Sequence, residues 1–379
     1  ELSMDQHQVH LVTVPKWGMA MEEGQVTSWH VVEGEVVSAG QDIVDVESTK
    51  IASAVQTKVG GVLRRQAAAV GQKLPVGALL GVVADPSVPD VVVDEYVANF
   101  AISGAQQEVS PDAVSVRSVE LSAGRIQYVA QGEGGTPVLF VHGFGGDKNN
   151  WLLNLAPLAS GHVVYALDLP GHGGSTKKLA SGSSADLTQC VVEFIEAVVG
   201  RPVHLVGHSL GGGLCERVAL ERPELVLSLA LVASTGLGPE INGAYIKAFC
   251  DAKSRREMKA ALGDLFSDGT LVSARMTEDM LRFKRIVGVE DALARIAGSA
   301  FDGSVQREVL ADKLTGLAAP VLVVWGRDDK ILPVHHAAHI SARKSLLLEK
   351  CGHMPMMEAA TAVNASIHEF LEAVDSERE

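Results

Sequence analysis

The sequence predicts two domains of different class: a small all-β flattened sandwich, then a larger α/β domain on a mostly parallel sheet. Three observations lead there. A short glycine-punctuated unit occurs twice before residue 84. From about Val119, apolar strand-like runs alternate with amphipathic helical stretches. One of those runs ends in Gly207-His208-Ser209-Leu210-Gly211, with a serine at the apex of a strand-to-helix junction.

Composition narrows the function classes. At 379 residues and 47% hydrophobic, the chain can bury two cores, and 21% charge argues against disorder. A net charge of −14 argues against a general nucleic-acid surface. Cys190, Cys215, Cys250 and Cys351 are scattered, with no CxxC pair and no metal-ligand spacing. Neither a metal centre nor a disulfide framework is expected, and a reducing, cytoplasmic compartment fits. No apolar run is long enough to span a bilayer, so no membrane role is expected.

In the first domain, Gly24-x-Val26 recurs as Gly61-x-Leu63. Gly34, Val37, Gly40 and Ile43 recur as Gly71, Leu74, Gly77 and Leu80, always at the same offset. Two copies of a short-stranded unit with glycine at the turns predict a sandwich with internal two-fold symmetry. Ile43, Asp45 and Glu47 alternate with Val44 and Val46 as in a strand, and the chain must reverse before Ile51. Lys50 is therefore expected on an exposed tight turn. A turn lysine is ordinarily just solvated; the symmetric repeat and Glu47 upstream favour a point of attachment. The stretch from "VPKWGMAMEEG" through "LPVGALLGVVAD", Val9 to Ala84, resembles a lipoyl domain. The resemblance implies lipoic acid in amide linkage on Lys50. The family usually reads Glu-Thr-Asp-Lys where this chain reads Glu47-Ser48-Thr49-Lys50. A biotin carrier has a similar fold, but methionine commonly flanks its lysine; Thr49 and Ile51 stand here, so lipoate is favoured.

Asp85 to Ser118 reads as a connector. After Pro86 and Pro89, Val93, Tyr96, Val97 and Phe100 fall at helical spacing. A short amphipathic helix docked on the following domain is expected, with a partner-docking element as the alternative. "GAQQEVSPDAVS" reads as linker.

The second domain, 119–379, is expected to build its strands from "RIQYVA", "PVLFVHG", "VVYALDL", "PVHLVGHS", "LSLALVA", "PVLVVWG" and "SLLLEK". Glycines on either side of Ser209 allow the tight backbone approach that lifts a hydroxyl above a sheet. A serine hydroxyl needs a base and a group that orients the base. The candidate acid is Asp329 in "WGRDDKILP", rather than Asp328, and the candidate base is His353 in "CGHMPMME". His208 is read as a packing residue. The amide of Leu210 and that of Phe144, in "HGFGG", are the expected oxyanion donors. His142 and the "DLPGHGGS" loop are expected to tie down the surroundings. The whole resembles an α/β-hydrolase over Val119 to Val374, with a helical cap at about 235–312. Between Lys247 and Glu290 lie nine Lys/Arg and seven Asp/Glu, a net positive stretch of the cap in an acidic chain. Such a face is usually only solvated. The sharper expectation is that Arg255, Arg256 and Lys259, or Arg282, Lys284 and Arg285, grip coenzyme A phosphates.

A lipoyl arm joined to a Ser–His–Asp site resembles the dihydrolipoyl acetyltransferase component of acetoin-cleaving dehydrogenase systems, over essentially the whole chain. The usual His-x-x-x-Asp-Gly acyltransferase motif does not occur, so the hydrolase fold stands in its place. The resemblance implies transfer of acetyl from the lipoyl group to coenzyme A. It also implies a thiamine-diphosphate-dependent acetoin dehydrogenase partner, a flavin-dependent dihydrolipoamide dehydrogenase and a homo-oligomer. The rival is a serine esterase or thioesterase that its lipoyl domain only localises. A third reading makes the hydrolase domain a scaffold.

Overall fold

The computed structural model describes residues 9–15, 23–48, 52–94, 97 and 115–378. The chain divides into two units, Glu1–Val109 and Ser110–Glu379.

Among its described residues the first unit has eight short strands: β1 (Val9–Thr13), β2 (Glu23–Trp29), β3 (Val36–Val37), β4 (Asp42–Glu47), β5 (Ala52–Gln56), β6 (Gly61–Gln66), β7 (Lys73–Pro75) and β8 (Leu79–Ala84). They form two four-stranded sheets, ordered β1-β8-β6-β3 and β5-β4-β2-β7. Each order becomes the other when every strand is moved four places along the chain, which is the two-fold the repeat predicts. Gly34, Gly40, Gly71 and Gly77 take φ between +83° and +88° at equivalent turns, where a β-carbon would be strained. The equivalent pairs Val26 and Leu63, and Ile43 and Leu80, are all fully buried. The expected alternation fails at one point. A register shift between Asp42 and Val44 turns Ile43 and Val44 both into the core.

β4 and β5 pair as far as Glu47 with Ala52. Lys50 lies outside the described residues. The connector departs from expectation. Asp90–Asp94 is helical, and Val93 is buried against Val82, Ala84 and Val88 of the first unit. Arg64 pairs with Asp90 at 2.7 Å and Arg65 with Asp94 at 2.8 Å, which fixes this choice. Tyr96 and Phe100 lie outside the described residues.

The second unit opens with β9 (Ser115–Leu121), four residues before the expected start, and continues through β10 (Gly124–Gln131), β11 (Pro137–Val141), β12 (Val163–Leu167), β13 (Val203–His208) and β14 (Val226–Val232). A two-stranded ribbon, β15 (Phe301–Asp302) and β16 (Val305–Gln306), precedes β17 (Val321–Gly326) and β18 (Lys344–Leu348). The main sheet is ordered β9-β10-β12-β11-β13-β14-β17-β18. β10 is antiparallel to its neighbours, and all pairs from β12 to β18 are parallel. Strands buried on both faces explain the near-continuous apolar runs, such as β13 and β17. Helices α1 (Leu152–Ala159), α2 (Ser184–Phe194) and α3 (Leu210–Glu221) lie in the crossovers. The cap comprises α4 (Gly243–Asp251), α5 (Arg255–Gly263), α6 (Ala274–Lys284) and α7 (Val289–Ala300). Asn242, Ser254 and Ser273 cap α4, α5 and α6, each accepting a backbone N–H at its side-chain oxygen. α8 (Pro355–Glu358) and α9 (Ala360–Ser376) end the chain. The sheet order reverses at β11 and β13, and the loops leaving these two strands meet where α/β sheets place their sites.

Candidate active site

Ser209 sits between β13 and α3 with φ 52° and ψ −121°, in the left-handed region that a serine normally avoids. Such a conformation costs on the order of 1–3 kcal/mol and persists only where the surroundings impose it. They do so here. Its N–H donates to Val232 O at 3.0 Å, and its carbonyl accepts from Gly212 N at 2.9 Å and Thr235 N at 3.1 Å. A β-carbon at Gly207 would lie 2.6 Å from Gly212 Cα, and one at Gly211 would lie 2.3 Å from His142 O. The spacing of glycines around the serine is therefore dictated by backbone meeting backbone.

Asp329 follows β17 and His353 follows β18, so neighbouring parallel strands deliver them to the same end of the sheet. His353 Nδ1 donates to Asp329 Oδ2 at 2.8 Å, with side chains 3% and 0% exposed. The other carboxylate oxygen accepts Ile331 N–H at 2.8 Å and Leu332 N–H at 2.9 Å. Asp328 is exposed. The geometry favours Asp329 over that rival. His208, read from sequence as packing, does more. Its Nε2 donates to His353 O at 2.8 Å and its ring stands 4.8 Å from the His353 ring. Burial holds its pKa well below the usual imidazole range, so it serves as a neutral donor. The cap contributes too: His353 N–H donates to Leu265 O at 2.9 Å. Among the described residues no hydrogen bond joins Ser209 Oγ to His353, a contact that commonly tightens only with substrate.

Leu210 N–H, at the first turn of α3, and Phe144 N–H donate to no protein acceptor among the described residues. Backbone amides are almost always paired, so these two remain open to an acceptor from outside the protein. Phe144 packs edge-on to Phe249 of the cap and to Phe301, at 5.7 and 6.4 Å.

The cap cations divide. Lys284 is buried, and its ammonium donates to Phe249 O, Cys250 O and Ala252 O at 2.9, 2.8 and 2.6 Å. All three protons are used to cap the carbonyls at the end of α4, so the expectation that Lys284 grips phosphate is corrected. Arg255 is exposed but paired with Glu278 at 2.6 Å. Arg256, Lys259, Arg282 and Arg285 are exposed. Sequence reasoning missed the buried Lys148–Asp168 pair, at 2.9 Å, and Glu358, which accepts Gly352 N–H at 3.0 Å and Ser267 N–H at 2.9 Å. Asp168 opens the "DLPGHGGS" stretch and Glu358 closes "CGHMPMME", but neither spacing encodes these partners. Among the described residues Glu240, His335 and His336 also bring ligand-type atoms within 4.8 Å. The Nδ1 of His336 there has no partner, whereas a metal-bound imidazole normally anchors its second nitrogen.

Residues 138–366 match the family described as "Alpha/beta hydrolase family", and residues 10–83 match "Biotin-requiring enzyme", the biotin/lipoyl family. A solved membrane phospholipase A, described as a bacterial virulence factor, is 27% identical with a TM-score of 0.62, covering 75% of this chain and 96% of its own. A meta-cleavage product hydrolase from Pseudomonas fluorescens, at 22% identity and a TM-score of 0.61, covers 68% of this chain and 98% or 97% of its own in two structures. It shares the fold. Two curated relatives extend through both domains, and both are named dihydrolipoyllysine-residue acetyltransferase component of acetoin cleaving system. The protein from Pseudomonas putida is 43% identical over 96% of this chain and 99% of its own length. That from Cupriavidus necator is 41% identical over 95% and 96%. A likeness running through both domains at that level shows that the chain belongs to the dihydrolipoyllysine-residue acetyltransferase components of acetoin-cleaving systems.

Proposed function

We propose that this chain moves an acetyl group from a lipoyl thioester on Lys50 to coenzyme A, with Ser209 as nucleophile, His353 as base and Asp329 as its orienting acid. The observation that carries the reading is the buried Asp329–His353 pair beside a serine in left-handed φ. Lipoate joined to Lys50 supplies the thiol that presents the acetyl group. The flanks of that attachment fit it: Glu47, Ala52 and Ser53, at the paired end of β4 and β5, are all exposed.

The rest is done by the chain. Ser209 Oγ bonds to the acetyl carbon while His353 takes its proton and Leu210 and Phe144 N–H donate to the carbonyl oxygen. His353 passes the proton to the departing sulfur, leaving acetyl on Ser209. It then takes the thiol proton of coenzyme A as that sulfur attacks, and returns it to Ser209 Oγ. Ser209 is 7% and His353 2% exposed, so the reacting atoms are held within the domain.

The family is a component of an acetoin-cleaving system. The partners proposed are a thiamine-diphosphate-dependent acetoin dehydrogenase, which loads the arm, and dihydrolipoamide dehydrogenase, which reoxidises it. A homo-oligomer in the cytoplasm completes the proposal. Among the described residues no helix is long and apolar enough to cross a membrane.

The test is acyl partition in the lipoylated protein. Acetyl should appear on coenzyme A in preference to water, and Ser209→Ala should abolish it. Lys50→Arg should remove the lipoyl mass. Acetate release indifferent to coenzyme A would favour the esterase or thioesterase reading instead.

A further inference from the structure

Two histidines outside the triad form a reciprocal link between the loops that follow β11 and β12. Leu169 N–H, on the second loop, donates to His142 Nε2 on the first, at 3.0 Å. Gly145 N–H, on the first loop, donates to His172 Nε2 on the second, at 3.1 Å. The rings meet edge to face at 4.9 Å, and both are fully buried. An imidazole nitrogen that accepts a backbone N–H carries no proton, so each ring must be neutral and protonated at Nδ1. Those protons have acceptors: His142 Nδ1 bonds Gly143 O at 2.7 Å and His172 Nδ1 bonds Pro170 O at 3.1 Å.

The position of Phe144 within this arrangement gives it a purpose. Gly143 O belongs to the same planar peptide unit as Phe144 N–H, and in a trans peptide the two point oppositely. Holding the oxygen on His142 therefore aims the N–H. The next peptide unit is held through Gly145 N–H on His172. Phe144 is thus fixed on both sides, each time by a ring nitrogen.

We propose that His142 and His172 are positioning residues that aim Phe144 N–H at the acyl oxygen, each locked in its Nδ1–H tautomer by the other's loop. The proposal rests on Phe144 N–H acting as an oxyanion donor. Asp147, Lys148, Asp168, Lys177 and His208 face this pair. Asp168 also anchors both loops, accepting Lys148 N–H at 2.7 Å and Gly174 N–H at 2.8 Å.

The experiment uses the full-length chain and p-nitrophenyl acetate. An acyl-enzyme burst lost in Ser209→Ala supports the site; a burst that survives it overturns the site and the link's purpose together. With the burst secured, His172→Leu, which removes the acceptor for Gly145 N–H, should lower kcat about 10–100-fold with KM changed by less than about threefold. His172→Gln, whose side-chain oxygen can accept the same N–H, should recover to within about fivefold of the parent. Parental kcat in the Leu variant, or equal losses in folded Leu and Gln variants, would overturn the proposal. Should the Leu variant not fold, nitrogen-15 shifts of the parent decide: Nδ1–H in both rings supports the link, and Nε2–H in either overturns it.

Discussion

Changing Asp329 to Asn tests the acid with little disturbance of shape. Asp329 Oδ1 accepts two backbone N–H groups, from Ile331 and Leu332, so the amide oxygen of Asn must take that side. The opposite orientation would set NH2 against two donors, at about 1–3 kcal/mol for each group left unpaired. The Asn NH2 is then turned to His353 Nδ1, which must accept, and the ring proton moves to Nε2. That is the nitrogen needed to receive the serine proton. A wrong-tautomer imidazole costs about 10⁴-fold in a serine protease triad. A loss of about 10³–10⁴-fold is expected here, or about 4–5.5 kcal/mol at the transition state. Stability should change by no more than about 1 kcal/mol, because the two backbone bonds survive. Rapid-mixing acetylation from acetyl-dihydrolipoamide, with urea unfolding alongside, reads both quantities. A loss below about tenfold in the folded variant would refute the reasoning. So would Asp328→Asn proving the more damaging change.

Three more outcomes can be checked. Lys284→Met removes three charge-assisted bonds from the end of α4 and should lower stability by about 3 kcal/mol in denaturant titration; an unchanged midpoint would contradict the capping role. Neutralising Arg282 with Arg285, or Arg256 with Lys259, should raise KM for coenzyme A about 2–30-fold, since exposed ion pairs give about 0.2–1 kcal/mol each. Hydrolysis of an uncharged ester should not change, and equal effects on both substrates would return these charges to solvation. The third concerns acid. Burial, helped by His142 and Lys177, pushes the pKa of His172 down to about 3 from the usual 6.5. The unfolded chain then binds the extra proton between these values, so stability present above about pH 6.5 should fall by a few kcal/mol as pH drops toward 3. Melting His172→Gln alongside the parent from pH 7 to 4 should show a shallower fall in the variant.

What could be read from sequence follows from how local each constraint is. The elbow was legible because Gly207, Ser209 and Gly211 stand within five positions, and the glycines are required wherever backbone closes on them, from Gly212 nearby or from His142 across the sheet. Asp329 and His353 were legible because each stands on the loop after a strongly apolar strand. Lys284 was not. A net count of cap charges cannot tell a solvated ammonium from one enclosed by the carbonyls of another helix, 32–35 positions away. The docking side of the connector was equally hidden. Its apolar spacing states only that one face must be covered, while the choice is made by Arg64 and Arg65, more than 20 positions upstream. The bulge at Ile43 breaks a period-2 pattern that the residues otherwise obey. His172 and His208 act through single hydrogen bonds to backbone on distant loops, and no residue spacing encodes such a contact.

The two-fold of the first domain has a further consequence for traffic along the chain. Glu47 of β4 corresponds to Ala84 of β8, and their partners are Ala52 of β5 and Val9 of β1. One half of the duplicated body thus uses this place to join β4 to β5 through the segment containing Lys50. The other half uses the equivalent place as its doorway, where the chain enters at β1 and departs after β8. With lipoate on Lys50 as proposed, cargo and tether occupy symmetry mates, not neighbours. A tug on the departing strand is carried by the β1–β8 ladder, while the cargo hangs from the β4–β5 ladder. A duplicated fold thereby gives a small carrier two separate handles.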